Sequence, residues 1–137
     1  MGYESKILLV NRHESKTRFD GTTLERPIIN AEIVAEYDLC KMGCQAQEFY
    51  AAFRREIDYT LFLPGVDANG DERIMEKDED MYGDHLKSAN IEELLAALKA
   101  CEERDHYRRL PPLIAMLETL ANMRDEWPVL EAVHYGY

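Results

Sequence analysis

The chain has 137 residues, 46% of them hydrophobic and 31% charged, and a formal net charge of −11. This length suits one domain that can bury a core without disulfides or a structural metal, and the composition excludes a disordered chain. Because nonspecific nucleic-acid binding relies on Lys and Arg displacing counterions, the acidic balance argues against a direct nucleic-acid partner.

Apolar runs and cysteines bear on the compartment. The longest apolar run near the N-terminus, residues 7–10, is far shorter than the roughly 20 residues that span a bilayer, and no cleavage site follows it. The three cysteines, Cys40, Cys44 and Cys101, are too few for a secreted disulfide scaffold and odd in number. We therefore expect free thiols, a cytoplasmic location and no membrane partner.

Two strands are predicted in the first third of the chain. Residues 6–10 are short and apolar on both sides, as in a central strand. Residues 29–39 alternate apolar and polar with period two, which predicts a strand with one buried and one solvent-facing side. The polar segment 11–27, which contains the turn dipeptide Asp20-Gly21, predicts an exposed loop joining the two in a long hairpin.

A helix and a second hairpin follow. Residues 45–55 carry Ala46, Phe49 and Phe53 at helical spacing. Residues 59–63 are rich in β formers and are closed by Pro64-Gly65. The turn signal Asn69-Gly70 predicts that residues 73–77 return as the second arm.

The last third of the chain reads as two helices and a strand. Asn90 and Glu93 form a capping box before an apolar stripe that ends at Cys101. Pro111-Pro112 opens the next helix, Trp127-Pro128 ends it, and residues 129–137 form a short strand. The order β-β-α-β-β-α-α-β predicts one α+β domain over residues 1–137, with about five strands in an antiparallel or mixed sheet covered by three helices.

The most distinctive local feature is acidic. Residues 67–84, called the acidic segment below, hold eight acids against Arg73 and Lys77, and this net charge of −6 is over half of the chain's −11. Its carboxylates are predicted to imitate phosphates and contact a basic groove on a partner; a solvated hairpin that guards a sheet edge is the alternative. The predicted partner-binding residues are Asp67, Asp71, Glu72, Glu76, Asp78, Glu79, Asp80 and Asp84.

Metal signals are weak in the sequence. The run Asp67-x-Asn69-x-Asp71 is similar to the opening of a calcium loop. A calcium loop has its glycine directly after the third ligand, however, whereas Gly70 precedes Asp71. A hairpin turn explains these residues better. Cys40-x-x-x-Cys44 supplies one thiol pair where zinc sites usually have two. We expect no metal and no cofactor.

No catalytic residue is predicted, because nucleophile-elbow, P-loop and dinucleotide-binding patterns do not occur. Glu32, Glu36 and Asp38, predicted on one strand face, leave a small metal-dependent hydrolase or nuclease as the alternative function. A further alternative is an assembly protein that oligomerises through an exposed final strand. The basic cluster at Arg104, His106, Arg108 and Arg109 is better explained by charge complementation at a helix end.

Two parts of the sequence resemble small proteins encoded by phages and prophages of gut Firmicutes. One is the opening, residues 2–7, leading into the strand that ends at residues 38–41, and the other is residues 107–114 together with the closing residues 134–137. The resemblance covers about a third of the chain, and neither part carries a functional residue that can be transferred. The resemblance implies a host-cell cytoplasmic protein that blocks a host machine, such as a CRISPR effector or a restriction enzyme. With the acidic segment, it predicts an inhibitor that binds a basic nucleic-acid groove of a host defence complex.

Overall fold

A computed structural model describes residues 5–17, 21–40, 47–104, 108–123 and 130–136. These residues form seven strands, three α-helices and one 3-10 turn. The elements are β1 (Ser5–Thr17), β2 (Thr23–Cys40), α1 (Gln47–Ala52), β3 (Arg55–Glu56), β4 (Leu61–Val66), β5 (Glu72–Lys77), β6 (Lys87–Asn90), α2 (Ile91–Cys101), the 3-10 turn Glu102–Arg104, α3 (Leu110–Asn122) and β7 (Leu130–Gly136).

The elements stack in three layers around an antiparallel sheet. Five strands pair in the order β2-β1-β7-β6-β3, and β4 and β5 form a separate hairpin. The helices contribute to one hydrophobic cluster on one face of the sheet, and the hairpin contributes to a second cluster on the other face. The predicted α+β class is confirmed.

Strand β1 is the centre of the core. It pairs with β2 on one side and β7 on the other, which confirms the predicted central strand at residues 6–10. Ile7 and Leu9 pack with the helices, whereas Leu8 and Val10 pack with the hairpin. All four are at most 1% exposed, and each such side chain stabilises the fold by roughly 1.5–3 kcal/mol.

A β-bulge in β2 changes the face of the sheet on which the apolar side chains of this strand lie. Leu9 pairs with Ala35 and the next residue, Val10, pairs with Ile33, so Val34 is the extra residue. Ile33 therefore packs on the hairpin side and Ala35 on the helix side. The predicted alternation over residues 29–39 is confirmed, but the prediction of a single buried side is wrong because the bulge shifts the phase.

The segment predicted as an exposed loop, residues 11–27, is mostly strand. β1 continues to Thr17 and β2 begins at Thr23, with Glu14 paired opposite Ile29. Main-chain pairing extends the hairpin through polar residues, which β-ladders accept on their solvent-facing sides. Gly21 has φ +83°, in the region that glycine adopts without strain, while Asp20 lies outside the described residues.

Two predicted boundaries in the middle of the chain are wrong. Helix α1 (Gln47–Ala52) ends before the predicted residue 55, because Arg55–Glu56 form β3 against β6, and residues 45 and 46 lie outside the described residues. Strand β4 does not close at Pro64-Gly65 but continues to Val66. Proline is accepted there because β4 has a ladder partner on one edge only, so the missing N–H can face the other edge.

Both later helices begin as predicted. Asn90 Oδ1 accepts a hydrogen bond from Glu93 N at 2.7 Å, which confirms the cap. The stripe Ile91, Leu94, Leu98 and Cys101 is buried. Helix α3 carries Pro111-Pro112 in its first turn, and its predicted end at Trp127-Pro128 lies outside the described residues.

The final strand is interior. β7 pairs with β1 along its whole length and with β6 over residues 131–134. The expectation of an exposed final strand is wrong, and assembly through its edge loses its structural basis. Among the described helices, none has the length and apolar character that a membrane span requires.

Candidate functional site

The outer face of the β4–β5 hairpin carries an apolar strip. Period-two alternation directs Leu61 and Leu63 into the core and places the residues between them on the opposite face. Cross-strand pairing sets Pro64 opposite Ile74 on that outer face. We call Phe62, Pro64, Val66 and Ile74 the apolar strip.

The strip is unusually exposed for large apolar side chains. Phe62 and Ile74 are each 64% exposed and Val66 is 60% exposed. Met81 and Tyr82, in the turn that follows, are also more than half exposed. Five of the seven large apolar side chains exposed in the described part of the chain thus lie within residues 62–82. Contiguous exposed apolar patches are typical of interaction surfaces, whereas single scattered apolar residues are ordinary.

Carboxylates flank the strip. Glu72 pairs opposite Val66 and Glu76 opposite Phe62, so the two glutamates lie on either side of Ile74 along β5. Both are exposed, as are Asp71, Glu79 and Asp84. None of the five forms an ion pair with a described residue. Their charge is therefore available to a partner.

Asp67 and Asp80 have a structural role inside two turns. Asp67 Oδ1 accepts hydrogen bonds from the backbone N–H groups of Asn69 (2.9 Å) and Asp71 (3.0 Å). Asp80 Oδ1 does the same with Tyr82 (2.8 Å) and Asp84 (3.1 Å). Asp80 is only 6% exposed, so its carboxylate serves the turn.

The two turns repeat one motif, Asp-x-x-Gly-Asp. In each, the N–H of the first aspartate bonds the carbonyl of the last at 2.9 Å, and the glycine N–H bonds the first aspartate's carbonyl. Gly70 and Gly83 have φ +83° and +82°. The repeat, thirteen residues apart, is visible in the sequence and was the signal that would have separated turn-forming acids from exposed ones.

The eight predicted binding residues therefore fall into three groups. Asp67 and Asp80 stabilise turns, and Glu72 and Glu76 share the outer face with the apolar strip. The remaining four lie in the turns and the connection after β5: Asp71, Asp78, Glu79 and Asp84. Of these, Asp78 has its Oδ2 3.9 Å from His85 Nδ1. Asp67 Oδ2 also pairs with Arg73 Nε at 2.8 Å.

A groove of about 370 Å³ lies between β4 and the sheet. Phe62 and Val66 line it from the hairpin, and Ile33, Tyr135 and Met81 line it from the other side. Three charged residues also line it: Lys6, Glu36 and Glu72. Lys6 Nζ is 3.6 Å from Glu36 Oε2 and 5.4 Å from the Tyr135 ring centroid. Glu72, by contrast, forms no ion pair with a described residue.

Polar contacts attach the chain just before β4 to the sheet. Asp58 Oδ2 is 2.9 Å from Arg12 Nη2, and the Tyr59 hydroxyl donates a hydrogen bond to Glu131. Burial, followed by this hydrogen bond and the Glu131 charge, raises the pKa of Tyr59, so the phenol stays protonated and can donate. These contacts fix the hairpin on the sheet and thereby orient its outer face.

A second pocket, of about 430 Å³, contains His134 and His85. His134 Nε2 is 3.0 Å from the hydroxyl of the fully buried Ser5. Three aromatic rings, those of Phe49, Tyr50 and Phe53, surround the imidazole. The centroid distances from each ring to the imidazole, and from Phe49 to the other two rings, are 5.2–5.6 Å. Burial lowers the pKa of His134 to about 4, and the Asp80 charge only partly opposes this. The imidazole is therefore neutral at pH 7.

The described residues show few of the side-chain arrangements that the alternative of a metal-dependent hydrolase or nuclease requires. Ser5 is fully buried and so inaccessible to a substrate. Nowhere in the described ranges do three His, Cys, Asp or Glu side chains converge as metal ligands do, and Cys44 lies outside those ranges. The prediction that Glu32 shares a face with Glu36 and Asp38 is wrong, because the bulge at Val34 places Glu32 on the helix side and Glu36 on the hairpin side.

Comparison of the chain with protein-family models, with curated proteins and with solved structures finds no match.

Proposed function

We propose that this protein is an acidic interaction protein that binds a partner with a basic surface through its acidic segment. The observation that carries this proposal is the row of exposed carboxylates without ion pairs to described residues, set beside an apolar strip on the same hairpin face. Carboxylates alone are typical of a solvated surface. Exposed apolar area in the same place favours a binding surface.

The charge arrangement suits fast and specific encounter. Attraction between oppositely charged surfaces raises association rates, and like charges suppress wrong partners. The acidic segment concentrates a net −6 on one hairpin and its turns, within a chain of −11. A basic protein surface is therefore the matching partner, whereas nucleic acid and anionic membranes are repelled.

The narrower form of the proposal is that the partner is a host defence complex whose nucleic-acid groove the protein blocks. Two considerations support it. The sign of the charge is that of the phosphates such a groove binds, and the resemblance to small phage-encoded proteins implies an inhibitory role.

Affinity capture from a bacterial lysate tests the proposal. Three baits are compared: the wild-type chain, the charge-reversed variant Glu72→Lys/Glu76→Lys, and the matched control Glu102→Lys/Glu103→Lys. Both variants change the net charge equally, and all four residues are exposed. We expect wild type and control to retain the same basic protein at low salt and release it at high salt. The reason is that the Debye screening length falls to about 3 Å at 1 M salt.

The charge-reversed variant should lose that protein. Circular dichroism establishes first that it folds as wild type does. If the folded variant retains the same protein, or if the control loses it equally, the acidic segment is not the binding surface. A capture that is indifferent to salt would contradict the electrostatic basis of the proposal.

A further inference from the structure

We infer that the partner contacts the apolar strip and the adjoining groove with an apolar side chain flanked by Lys or Arg residues. This inference rests on the proposed function and specifies its chemistry. The carboxylates attract the cationic residues of the partner, and the apolar strip binds its apolar side chain. The occupant is thus a segment of a basic protein in which an apolar residue, best an aromatic one, projects between cationic residues.

The apolar strip and the groove together form a surface that can hold an apolar side chain. Phe62 and Val66 belong to both, since they point outward from β4 and also line the groove of about 370 Å³. That volume lies near the lower limit of small-ligand pockets, roughly 300 Å³, and so suits one large side chain better than an extended ligand. Interfaces commonly concentrate their energy in one such buried aromatic anchor.

Carboxylates surround the position that the apolar side chain would occupy. Glu72 lines the groove itself, and Glu76 lies two residues beyond Ile74 on the same face. Among the described residues that line this groove, Lys6 is the one cation, and it is ion-paired with Glu36. A segment that inserts an apolar residue here would place its neighbouring side chains beside Glu72 and Glu76. Lys and Arg are favoured there because carboxylates accept charge-assisted hydrogen bonds.

A second copy of the chain fits this face poorly. In a two-fold dimer the same patch meets itself, so the glutamates beside the strip in each copy would approach those of the other. Like charges that meet across an interface are destabilising. The net charge of −11 adds general repulsion between copies. A cationic partner satisfies both the apolar strip and its acidic flanks.

Fluorescence anisotropy with synthetic peptides tests the inference on the full chain. The probe is a labelled nonapeptide in which one central Trp is flanked by two Lys residues on each side, separated by Ser. A second peptide replaces the Trp with Ser, and a third keeps the Trp but replaces every Lys with Glu. The protein variants are Phe62→Thr/Ile74→Thr, the milder Val66→Thr, and Met123→Ser as an exposed apolar control at the C-cap of α3.

We expect the Trp–Lys peptide to bind at least about tenfold more tightly than the Ser–Lys peptide, the size of a modest hot spot. Phe62→Thr/Ile74→Thr should remove that preference, Val66→Thr should reduce it, and Met123→Ser should leave it unchanged. The Trp–Glu peptide should not bind. Threonine is a good strand former, so these variants should keep the hairpin, which circular dichroism checks.

Three outcomes would overturn the inference in distinguishable ways. If both Lys peptides bind equally and the strip variants behave as wild type, attraction is purely ionic; the inference fails while the proposed function stands. If no Lys peptide binds, both fail. Sedimentation of the protein alone tests whether a second copy of the chain occupies the strip. A dimer that Phe62→Thr/Ile74→Thr abolishes would assign the strip to self-association and overturn the inference.

Discussion

Acidification should destabilise this protein by charging His134. The imidazole lies among Phe49, Tyr50 and Phe53 and contacts the buried hydroxyl of Ser5, an environment that favours the neutral ring. Its pKa is about 4 in the folded chain, against 6.5 for an unperturbed histidine. Because the folded pKa is depressed, this stability is fully present above pH 6.5 and is lost as the pH falls towards 4.

The size of the effect follows from the two pKa values. One pH unit of difference between folded and unfolded pKa corresponds to about 1.4 kcal/mol. Between pH 7 and pH 4.5 the His134 contribution should therefore fall by about 2 kcal/mol. Five other ionisable side chains line the same pocket and are common to wild type and any His134 variant: Glu56, Asp80, Asp84, His85 and Lys87.

The assay is urea unfolding of wild type and His134→Gln at several pH values between 7 and 4.5. Glutamine can still bond the Ser5 hydroxyl but does not titrate. The difference in unfolding free energy between the two proteins isolates His134, because the carboxylates are common to both. We expect wild type to lose about 2 kcal/mol relative to the variant over this range.

A difference that is constant with pH would refute the reasoning, as would one that grows in favour of wild type on acidification. NMR titration of the His134 ring provides the direct check. A midpoint near 6.5 would show that the ring is not shielded from solvent as the structure indicates.

Three substitutions test the turns and the cap. Asp80→Ala should lower the unfolding free energy by about 2 kcal/mol because two backbone N–H groups lose their acceptor, whereas Glu79→Ala should change it by less than about 0.5 kcal/mol; equal effects would contradict the division of the acids. Gly83→Ala should cost about 1 kcal/mol in thermal unfolding because its φ is +82°, although no atom lies within 4 Å of the added Cβ; an unchanged melting temperature would show that the turn relaxes. Asn90→Ala should cost about 1 kcal/mol in urea unfolding through loss of the α2 cap, and a value near zero would show that Glu93 N finds another acceptor.

Sequence patterns predicted the elements whose local signal agrees with the tertiary structure. The apolar run at residues 6–10 lies at the sheet centre, and the Asn90 cap and its stripe form helix α2. Short strands were missed because β3 and β6 have two and four residues and exist through pairing with each other and with β7. Pairing of this kind between distant segments leaves no periodic signal in a short stretch.

The bulge at Val34 is the clearest case where sequence reasoning stops. Residues 29–39 show unbroken alternation, yet the row changes face in the middle because Val34 adds one residue to β2 opposite β1. A one-residue shift in register exchanges the two faces of a strand. Nothing in the alternation itself marks that position, so the faces of Glu32 and Glu36 could not be assigned.

Within the acidic segment, composition predicted where charge concentrates but not which acids are available. Asp67 and Asp80 are used by their turns, and Glu72 and Glu76 flank an apolar strip that hydropathy alone assigns to a core. Strand direction decides this, since Leu61 and Leu63 point inward and Phe62 points outward. The strip becomes recognisable only when the hairpin register is known.

The association rate of the captured basic partner, measured against salt concentration, tests the central claim most directly. The account predicts that the wild-type rate falls steeply as salt rises, that Glu72→Lys/Glu76→Lys lowers it about tenfold at low salt, and that Glu102→Lys/Glu103→Lys leaves it within about twofold. Equal rates for the two variants, or a wild-type rate independent of salt, would contradict binding through the acidic segment.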